Sequence, residues 1–322
     1  MTQKIALLQP IAGEMADIIQ SLLPEGFSAS AVKGRSVEDL KAEIADATYA
    51  LWWDVPVPAE VLAAGTKLKL VHKWGVGIDN IDLDYCRQHG IKVARTTGSN
   101  AAPVADFTIG LMLALARRMI PAHNSTVAGG WAKNEVWKQS VMVSGKTVGI
   151  IGLGAIGKAV AKRLRGFDCR VLYYSRTRLP DDQAQALGVD YRALDDLLAE
   201  VDILSLNCPL TPETSGMINA AALARMKPSA MIINVARGGV VVEADLIAAL
   251  RNGTIRAAAV DVFDQEPPPA DHPLLHMDNV IVTPHCASVA YENSRRSIQH
   301  WLGNMVRVSK GEPIPEQDRV VD

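Results

Sequence analysis

One six-residue stretch, Gly152-Leu153-Gly154-Ala155-Ile156-Gly157, limits the fold of this chain more than any other. It follows the apolar run 147–151 and precedes a helical pattern that reaches Gly166. In such a turn the first glycine allows a tight bend, and the second lets backbone approach a pyrophosphate. The third glycine lets helix and strand pack closely, and N–H groups at the helix start bind the phosphates. The stretch therefore predicts a dinucleotide site at Gly152, Gly154, Ala155, Ile156 and Gly157.

The second half of the chain alternates apolar runs with helical patterns. The runs cover residues 147–152, 169–175, 202–207, 231–236, 257–263 and 280–284. Helical patterns lie between them, for example at residues 194–199, 220–226 and 243–251. Strands that alternate with helices form a parallel sheet covered on both faces. Six such strands are the number in one nucleotide-binding domain.

The first half shows the same alternation on a smaller scale. Apolar runs at 4–10, 49–53, 68–74 and 91–97 predict strands, and a long helix is expected from about Val104 to Met119. Pro121 and Gly129-Gly130 are expected to break the helical pattern, and residues 288–308 read as a last helix. We predict an α/β chain with two Rossmann-like domains. A doubly wound parallel-sheet cofactor domain, 101–289, is inserted in a smaller flavodoxin-like substrate domain, 1–100 plus 290–322.

Composition narrows the functional classes. The 322 residues are 48% hydrophobic with a net charge of −2, so nothing indicates a nucleic-acid or anionic-membrane partner. The N-terminus lacks the pattern of a signal peptide, and the apolar run 107–116 is too short to span a bilayer. The four cysteines show no metal-site spacing. We expect no bound metal, reduced thiols and a cytoplasmic location.

The residues after the run 171–174 bear on which dinucleotide is bound. NAD-binding domains place a carboxylate there, which accepts from the ribose 2′-OH. This chain has Ser175 and Arg176 instead. A guanidinium pairs with a 2′-phosphate, whereas a carboxylate repels one. We therefore predict NADP(H) in preference to NAD(H), with a solvated basic turn as the alternative.

Three polar residues follow three of the predicted strands. Arg237 lies in NVARGG, Glu266 in DVFDQEP and His285 in TPHCAS. Ligands of open parallel sheets bind outside the carboxyl ends of the strands. Each residue alone has an ordinary structural explanation, but three at successive strand ends favour a shared site.

These motifs, in this order, resemble the D-isomer-specific 2-hydroxyacid dehydrogenase family. GLGAIG, NVARGG, DVFDQEP and TPH carry the resemblance, together with GVGIDNID at 75–82 and SNAAPVAD at 99–106. The resemblance covers nearly the whole chain. It implies that Arg237, Glu266 and His285 are catalytic, that two domains form the active site in the cleft between them, and that the protein is a homodimer.

The residue types suit the reduction of a 2-keto acid. His285 can give a proton to the carbonyl oxygen, and Glu266 can orient the imidazole and favour its protonated form. Arg237 can bind the substrate carboxylate and polarise the carbonyl.

The resemblance implies further contacts on both ligands. Val76, Gly77 and Asn100 would bind the substrate. Cys208, Pro209 and Thr214 would lie near the adenosine, and Val235, Ala236 and Asp261 near the nicotinamide. Asn207 stands where members of the family commonly have a histidine, which puts one phosphate contact in question.

We therefore predict an NADP(H)-dependent reductase of a small 2-keto acid such as glyoxylate or hydroxypyruvate, giving the D-isomer of the 2-hydroxy acid. A phosphoglycerate dehydrogenase that uses NAD is the near alternative, although no C-terminal regulatory domain is expected. Formate oxidation is less favoured because Thr283-Pro284 precede His285, and phosphite oxidation would use a similar Arg–Glu–His set. A nucleotide-sensing corepressor is the alternative from another class.

Overall fold

The computed structural model of the protein describes residues 2–322. It forms two compact units. The split unit takes in the chain up to Asn100 together with Ala290–Asp322, and the inserted unit is Ala101–Val289. Each unit has its own sheet.

Strands and helices alternate along most of the chain. Up to Asn100 the elements are β1 Gln3–Leu7, α1 Glu14–Leu22, β2 Phe27–Ala31, α2 Val37–Ile44, β3 Tyr49–Trp52, α3 Ala59–Ala64, β4 Leu70–Lys73, α4 Leu83–Gln88 and β5 Lys92–Arg95. The inserted unit contains α5 Ala101–Ala116, α6 Met119–Val127, α7 Lys133–Gln139, β6 Thr147–Ile151, α8 Ala155–Leu164, β7 Arg170–Tyr174, α9 Asp181–Leu187, β8 Asp190–Tyr191, α10 Leu194–Glu200, β9 Ile203–Leu206, α11 Ala220–Arg225, β10 Met231–Asn234, α12 Glu243–Arg251, β11 Ala257–Val260 and β12 Val280–Val282. The chain ends with α13 Tyr291–Ser309 and β13 Arg319–Val321.

The sheet of the split unit has the strand order β2-β1-β3-β4-β5-β13. The first five strands pair in parallel, and β13 pairs antiparallel with β5. From β1 the chain adds β2 on one side and then β3 on the other. Ligands of such sheets bind at this point between β1 and β3, where the strand order reverses. Both faces are covered: Trp52 and Leu40 are buried on one face, and Leu51 packs with Trp301 of α13 on the other.

The sheet of the inserted unit has the order β8-β7-β6-β9-β10-β11-β12, and all its strands are parallel. This is the doubly wound order of a dinucleotide-binding domain with one more strand, β12, at its far edge. The four residues of β9 and of β10 are all buried, as expected of strands covered on both faces. The order reverses between β6 and β9, so the loop after β6 lies at the reversal.

The predicted fold class is confirmed, and all six strands expected in the second half are present. The sequence analysis missed β2, β8 and β13. These strands contain few large aliphatic residues, so their apolar signal is weak. Their sequences are FSASA for β2, DY for β8 and RVV for β13.

The expectation that Pro121 would break the helical pattern was wrong. Helix α6 begins at Met119 and contains Pro121 in its first turn. Backbone N–H groups in a first turn have no acceptor within the helix, so proline costs no hydrogen bond there. The break falls at Arg118 instead, whose φ of 54° ends the preceding helix.

A buried polar cluster in the split unit links the C-terminal segment to the sheet. Asp318 is 1% exposed, and its Oδ2 accepts from His300 Nε2 at 2.6 Å and from Asn304 Nδ2 at 3.1 Å. Asn304 in turn contacts the ring of His72 in β4. Burial alone would raise the pKa of the Asp318 carboxyl. The bonds from Asn304 and His300, the charge of His300 and the N–H of Thr97 nevertheless hold that pKa below its usual value.

Replacing this carboxylate should destabilise the protein. We expect Asp318→Asn to lower the free energy of unfolding by about 2 kcal/mol, because a buried charge-assisted hydrogen bond is lost. Because the pKa of Asp318 is lower in the folded than in the unfolded protein, its ionised carboxylate stabilises the fold above the unfolded pKa of about 3.9. This stabilisation is lost as the pH falls through the folded pKa. Urea unfolding should therefore show the full difference at pH 6 and a smaller one below about pH 4.

Asp322→Asn is the matched control, since Asp322 binds Arg319 at the surface. It should change the free energy of unfolding by less than about 0.5 kcal/mol. Equal losses in the two variants would show that burial of Asp318 is not the cause.

Candidate active site

The glycine stretch forms a turn that only glycine fits at two positions. Gly152 has a φ of 91°, and a Cβ there would lie 2.7 Å from the backbone carbon of Asn207. A Cβ on Gly157 would overlap the carbonyl oxygen of Gly152. Helix α8 therefore packs directly on the end of β6.

Gly154, by contrast, borders open space. It precedes the first residue of α8, it is exposed, and a Cβ there would meet no atom within 4 Å. The N–H groups of the first helical turn have no acceptor within the helix. An exposed helix start with an open approach at Gly154 fits the pyrophosphate of a dinucleotide.

Two alanine variants separate folding from ligand binding at this turn. Gly154→Ala should leave the melting temperature within about 2 °C but weaken dinucleotide binding about 10-fold, because the methyl group fills the phosphate approach. Gly157→Ala should lower the melting temperature strongly, because helix and strand must move apart. Calorimetric titration and thermal unfolding measure the two effects, and unchanged affinity in Gly154→Ala would contradict the assignment.

The end of β7 carries the residues predicted to select the cofactor. Ser175 is half-buried and Arg176 is exposed. Arg178 binds Asp181 at 2.8 Å and lies 5.3 Å from the ring centroid of Tyr191. The guanidinium of Arg178 is therefore engaged by the first residue of α9 and by a tyrosine of β8.

Several polar groups of the loop after β9 are already hydrogen-bonded within the loop or to β9 itself. Asn207 Nδ2 donates to Ser205 Oγ at 2.9 Å, and Asn207 Oδ1 is buried without a hydrogen-bond partner. Thr214 Oγ1 donates to the carbonyl of Pro209. Cys208 is buried, and this burial raises the pKa of its thiol to about 11, so the thiol stays uncharged. Asn207 Oδ1 is the atom in this loop that an incoming donor could satisfy.

His285 and Glu266 form the closest polar contact among the predicted catalytic residues. His285 Nδ1 lies 2.6 Å from Glu266 Oε2, and Glu266 Oε1 accepts from the N–H of Phe263 at 3.0 Å. An ionised carboxylate only accepts hydrogen bonds, so His285 Nδ1 carries the proton of this contact. The side chain of His285 is 41% exposed. Its Nε2 is therefore the ring atom available to a substrate.

Arg237 belongs to the same cluster. Burial would raise the pKa of the Glu266 carboxyl, but the hydrogen bonds from His285 and Phe263 and the charges of His285 and Arg237 lower it overall. Arg237 Nη1 donates to the carbonyl of Ala236 at 2.8 Å. The side chain of Asn234 stabilises the turn after β10. Its Nδ2 donates to the carbonyl of Arg237, and its Oδ1 accepts from the N–H of Ala236. Glu266 is thus held ionised beside one histidine and one arginine.

Asp261 makes contacts with the loop of His285 that the sequence analysis missed. Its carboxylate accepts from Thr283 Oγ1 at 2.6 Å, Cys286 N at 2.9 Å and Ala287 N at 2.9 Å. Its carbonyl accepts from the N–H of His285 at 2.8 Å. The backbone of His285 has a φ of 50°, an uncommon conformation for a non-glycine residue. Asp261 therefore fixes the segment that carries His285. The sequence signal for this contact is that the adjacent strands β11 and β12 are each followed by a polar residue, Asp261 and Thr283.

The remaining predicted residues lie in loops: four of them follow strands β4 and β10, and Asn100 directly precedes helix α5. Val235 and Ala236 follow β10 and are buried. Val76 and Gly77 follow β4 in the split unit, after Gly75, whose carbonyl accepts from the N–H of Thr96. Asn100 is in the split unit too, and its Oδ1 is buried without a partner. Their contacts with substrate or cofactor stay predictions.

Neither a metal cluster nor a membrane span is found between residues 2 and 322. No three His, Cys, Asp or Glu side chains in this range group as metal ligands. No helix in the same range is long and apolar enough to cross a bilayer.

Comparison with known proteins gives a family match over more than half of the chain. Residues 109–287 match the model of the D-isomer specific 2-hydroxyacid dehydrogenase, NAD binding domain. The chain is also similar to the glyoxylate reductase of Korarchaeum cryptofilum. The two are 42% identical over 274 residues, which is 84% of this chain and 81% of that one.

Two further proteins widen the range of relatives. The D-3-phosphoglycerate dehydrogenase of Archaeoglobus fulgidus is 35% identical over 312 residues, which is 97% of this chain and 58% of that one. The structure of D-lactate dehydrogenase from Escherichia coli superposes with a TM-score of 0.85 at 29% identity, covering 99% of this chain and all of that one.

Proposed function

Because the chain belongs to the D-isomer-specific 2-hydroxyacid dehydrogenases, an NAD(P)-dependent enzyme family, we propose that it reduces small 2-keto acids with NADPH. Glyoxylate and hydroxypyruvate are the proposed substrates, and the product is the D-isomer where C2 becomes chiral. The observation that carries the proposal is the 2.6 Å contact between His285 and Glu266 beside Arg237.

The dinucleotide, when bound, supplies the hydride, and the chain's residues supply the proton and the charges. Glu266 holds the imidazole through Nδ1, so that His285 Nε2 gives its proton to the keto oxygen as C2 is reduced. Arg237 binds the substrate carboxylate and stabilises the charge that develops on the keto oxygen. N–H groups of Val76 and Gly77 and the amide of Asn100 are the proposed further contacts of the substrate. In the oxidative direction His285 takes the proton back.

A panel of 2-keto acids assayed with NADPH and NADH tests the proposed function. We expect oxidation of NADPH with glyoxylate and hydroxypyruvate, and little with 3-phosphohydroxypyruvate. The phosphoglycerate dehydrogenase alternative is favoured by the relative from Archaeoglobus fulgidus. Preference for the phosphorylated keto acid and NADH would establish that alternative, and no oxidation with any acid would favour a binding protein.

His285→Gln tests the proton donor. We expect kcat to fall about 100-fold or more, because glutamine keeps a hydrogen-bonding group but gives no proton. The affinity for NADPH, measured by titration, should change less than about 2-fold. His276→Gln, at an exposed histidine bonded to the carbonyl of Ala270, is the control and should keep wild-type kcat. A near-wild-type kcat in His285→Gln would remove this residue from the chemistry.

Arg176→Ala tests the cofactor preference. The ratio of kcat/KM for NADPH over NADH should fall about 10-fold or more, because a charge-assisted bond to the 2′-phosphate is lost. Arg178→Ala should change the ratio much less, since Arg178 is engaged by Asp181 and Tyr191. A wild-type preference for NADH would contradict the proposed cofactor.

The region of α6 and α7 supports a homodimer. Six large apolar side chains there are exposed: Met119, Ile120, Val127, Trp131, Trp137 and Met142, with Trp131 81% exposed. Apolar patches of this kind mark interaction surfaces, and a second copy would cover them.

The unpaired cysteines agree with a reducing compartment such as the cytoplasm.

Light scattering after gel filtration tests the dimer. We expect a mass twice the 34.6 kDa of one chain for the wild type, and a monomer for Trp131→Glu combined with Trp137→Glu. Tyr291→Glu, at an exposed aromatic outside this region, should stay dimeric. A wild-type monomer would contradict the proposed assembly.

A further inference from the structure

Three residues extend one row across the carboxyl edge of the split unit's sheet. Leu7 of β1 pairs with Leu51 of β3, and Gln9 and Trp53 each follow two positions later. Leu51 pairs with His72 of β4, which Trp74 follows two positions later. Because side chains alternate along a strand, Gln9, Trp53 and Trp74 belong to the face that packs against α13. The row crosses the reversal between β1 and β3, where ligands of such sheets bind.

Trp53 and Trp74 form a flat apolar wall in this row. Their rings stack with centroids 5.5 Å apart and an angle of 27° between planes. Trp74 also packs on Trp301 of α13, at 6.1 Å and 56°. Trp301 is fully buried, whereas Trp53 is 36% exposed. The wall is thus anchored in the core at one end and accessible at the other.

Gln9 is an unsatisfied polar group at the other end of the row. It is 3% exposed, and neither its Nε2 nor its Oε1 has a hydrogen-bond partner. A buried amide without partners costs about 1–3 kcal/mol. A bound molecule with an uncharged polar group would satisfy it.

The row itself carries no charge. The ammonium of Lys73, next to Trp74, donates to the backbone carbonyl of Trp53 and to Asn80 Oδ1 at 3.2 Å, and it lies 5.3 Å from the ring centroid of Trp52. Asp54, next to Trp53, binds Arg35 at the surface. The side chains of the row, two indoles and an amide, cannot neutralise a phosphate group, and the nearby Lys73 ammonium is already hydrogen-bonded to the carbonyl of Trp53 and to Asn80.

We infer that the row of Gln9, Trp53 and Trp74 is a subsite for the side group of the 2-keto acid, and that it selects an aromatic group with an uncharged polar tip. Trp74 directly precedes the glycine loop proposed to bind the substrate carboxylate, so head and side group would lie on adjacent residues. The ring stacks on Trp53 and the polar tip meets Gln9. This inference rests on the proposed function and extends its substrates from glyoxylate to hydroxyphenyl-substituted keto acids.

The chemical step stays the same for the larger substrate. C2 of the keto acid gains the hydride that the reduced dinucleotide loses, and the keto oxygen gains the proton from His285. The keto acid is reduced to the 2-hydroxy acid, and the dinucleotide is oxidised. No further reactant is needed.

Steady-state kinetics with four keto acids test the subsite: glyoxylate, phenylpyruvate, 4-hydroxyphenylpyruvate and 3-phosphohydroxypyruvate. Trp53→Ala should lower kcat/KM for phenylpyruvate relative to glyoxylate at least about 10-fold, because burial of a ring is lost. Trp53→Phe should recover most of this loss. Tyr85→Ala removes a ring that stacks on His89 elsewhere in the unit, and it should change the ratio less than about 2-fold.

Gln9→Leu tests the polar tip. The wild type should prefer 4-hydroxyphenylpyruvate over phenylpyruvate about 5-fold, and the variant should show no preference. A melting temperature no lower than that of the wild type would show that the variant is folded.

The outcomes separate this inference from the proposed function. Reduction of glyoxylate with an unchanged phenylpyruvate-to-glyoxylate ratio in Trp53→Ala would overturn the subsite and leave the function standing. If no keto acid is reduced, the proposed function fails, and calorimetric titration of phenylpyruvate into the NADPH-loaded protein decides on the subsite. Affinity that falls at least about 10-fold in Trp53→Ala supports it, and absence of binding overturns it.

Discussion

The parallel pairing of strands is the constraint on which the candidate site depends. In a parallel sheet every strand ends at the same edge, so residues far apart in the chain are brought to one place. β6, β10, β11 and β12 of the inserted unit pair in this way and are followed by Gly152, Arg237, Asp261 and His285. The contact of Gly157 with Gly152 brings helix α8 close to the sheet at that edge. One packing arrangement thus places the glycine turn and the candidate catalytic residues together.

Electrostatics then determine what the site can do. Glu266 stays ionised because hydrogen bonds and two neighbouring positive groups outweigh its burial. An ionised Glu266 accepts from His285 Nδ1 and leaves Nε2 for the substrate. Asp261 fixes the segment on which His285 lies, through hydrogen bonds on both carboxylate oxygens. Two carboxylates therefore position His285: Glu266 contacts its ring, and Asp261 binds its backbone segment.

The sequence predicts the parts of the molecule that depend on strong local patterns. Apolar runs located the long strands, and glycine spacing located the turn before α8. The edge strand β8 has two residues and no apolar pattern to detect. The role of Asp261 depends on backbone N–H groups of another loop, and the side-chain atoms of Gln9 matter because they lack partners. Neither property is visible in a sequence, since both arise from packing between distant segments.

The most direct test of the central claim follows the hydride itself. Hydroxypyruvate is reduced with NADPH that carries deuterium at the transferable position, and the product is analysed by mass and by chiral separation. The proposed function predicts D-glycerate with one deuterium at C2. Glycerate without deuterium, the L-isomer, or no product from any 2-keto acid would contradict it.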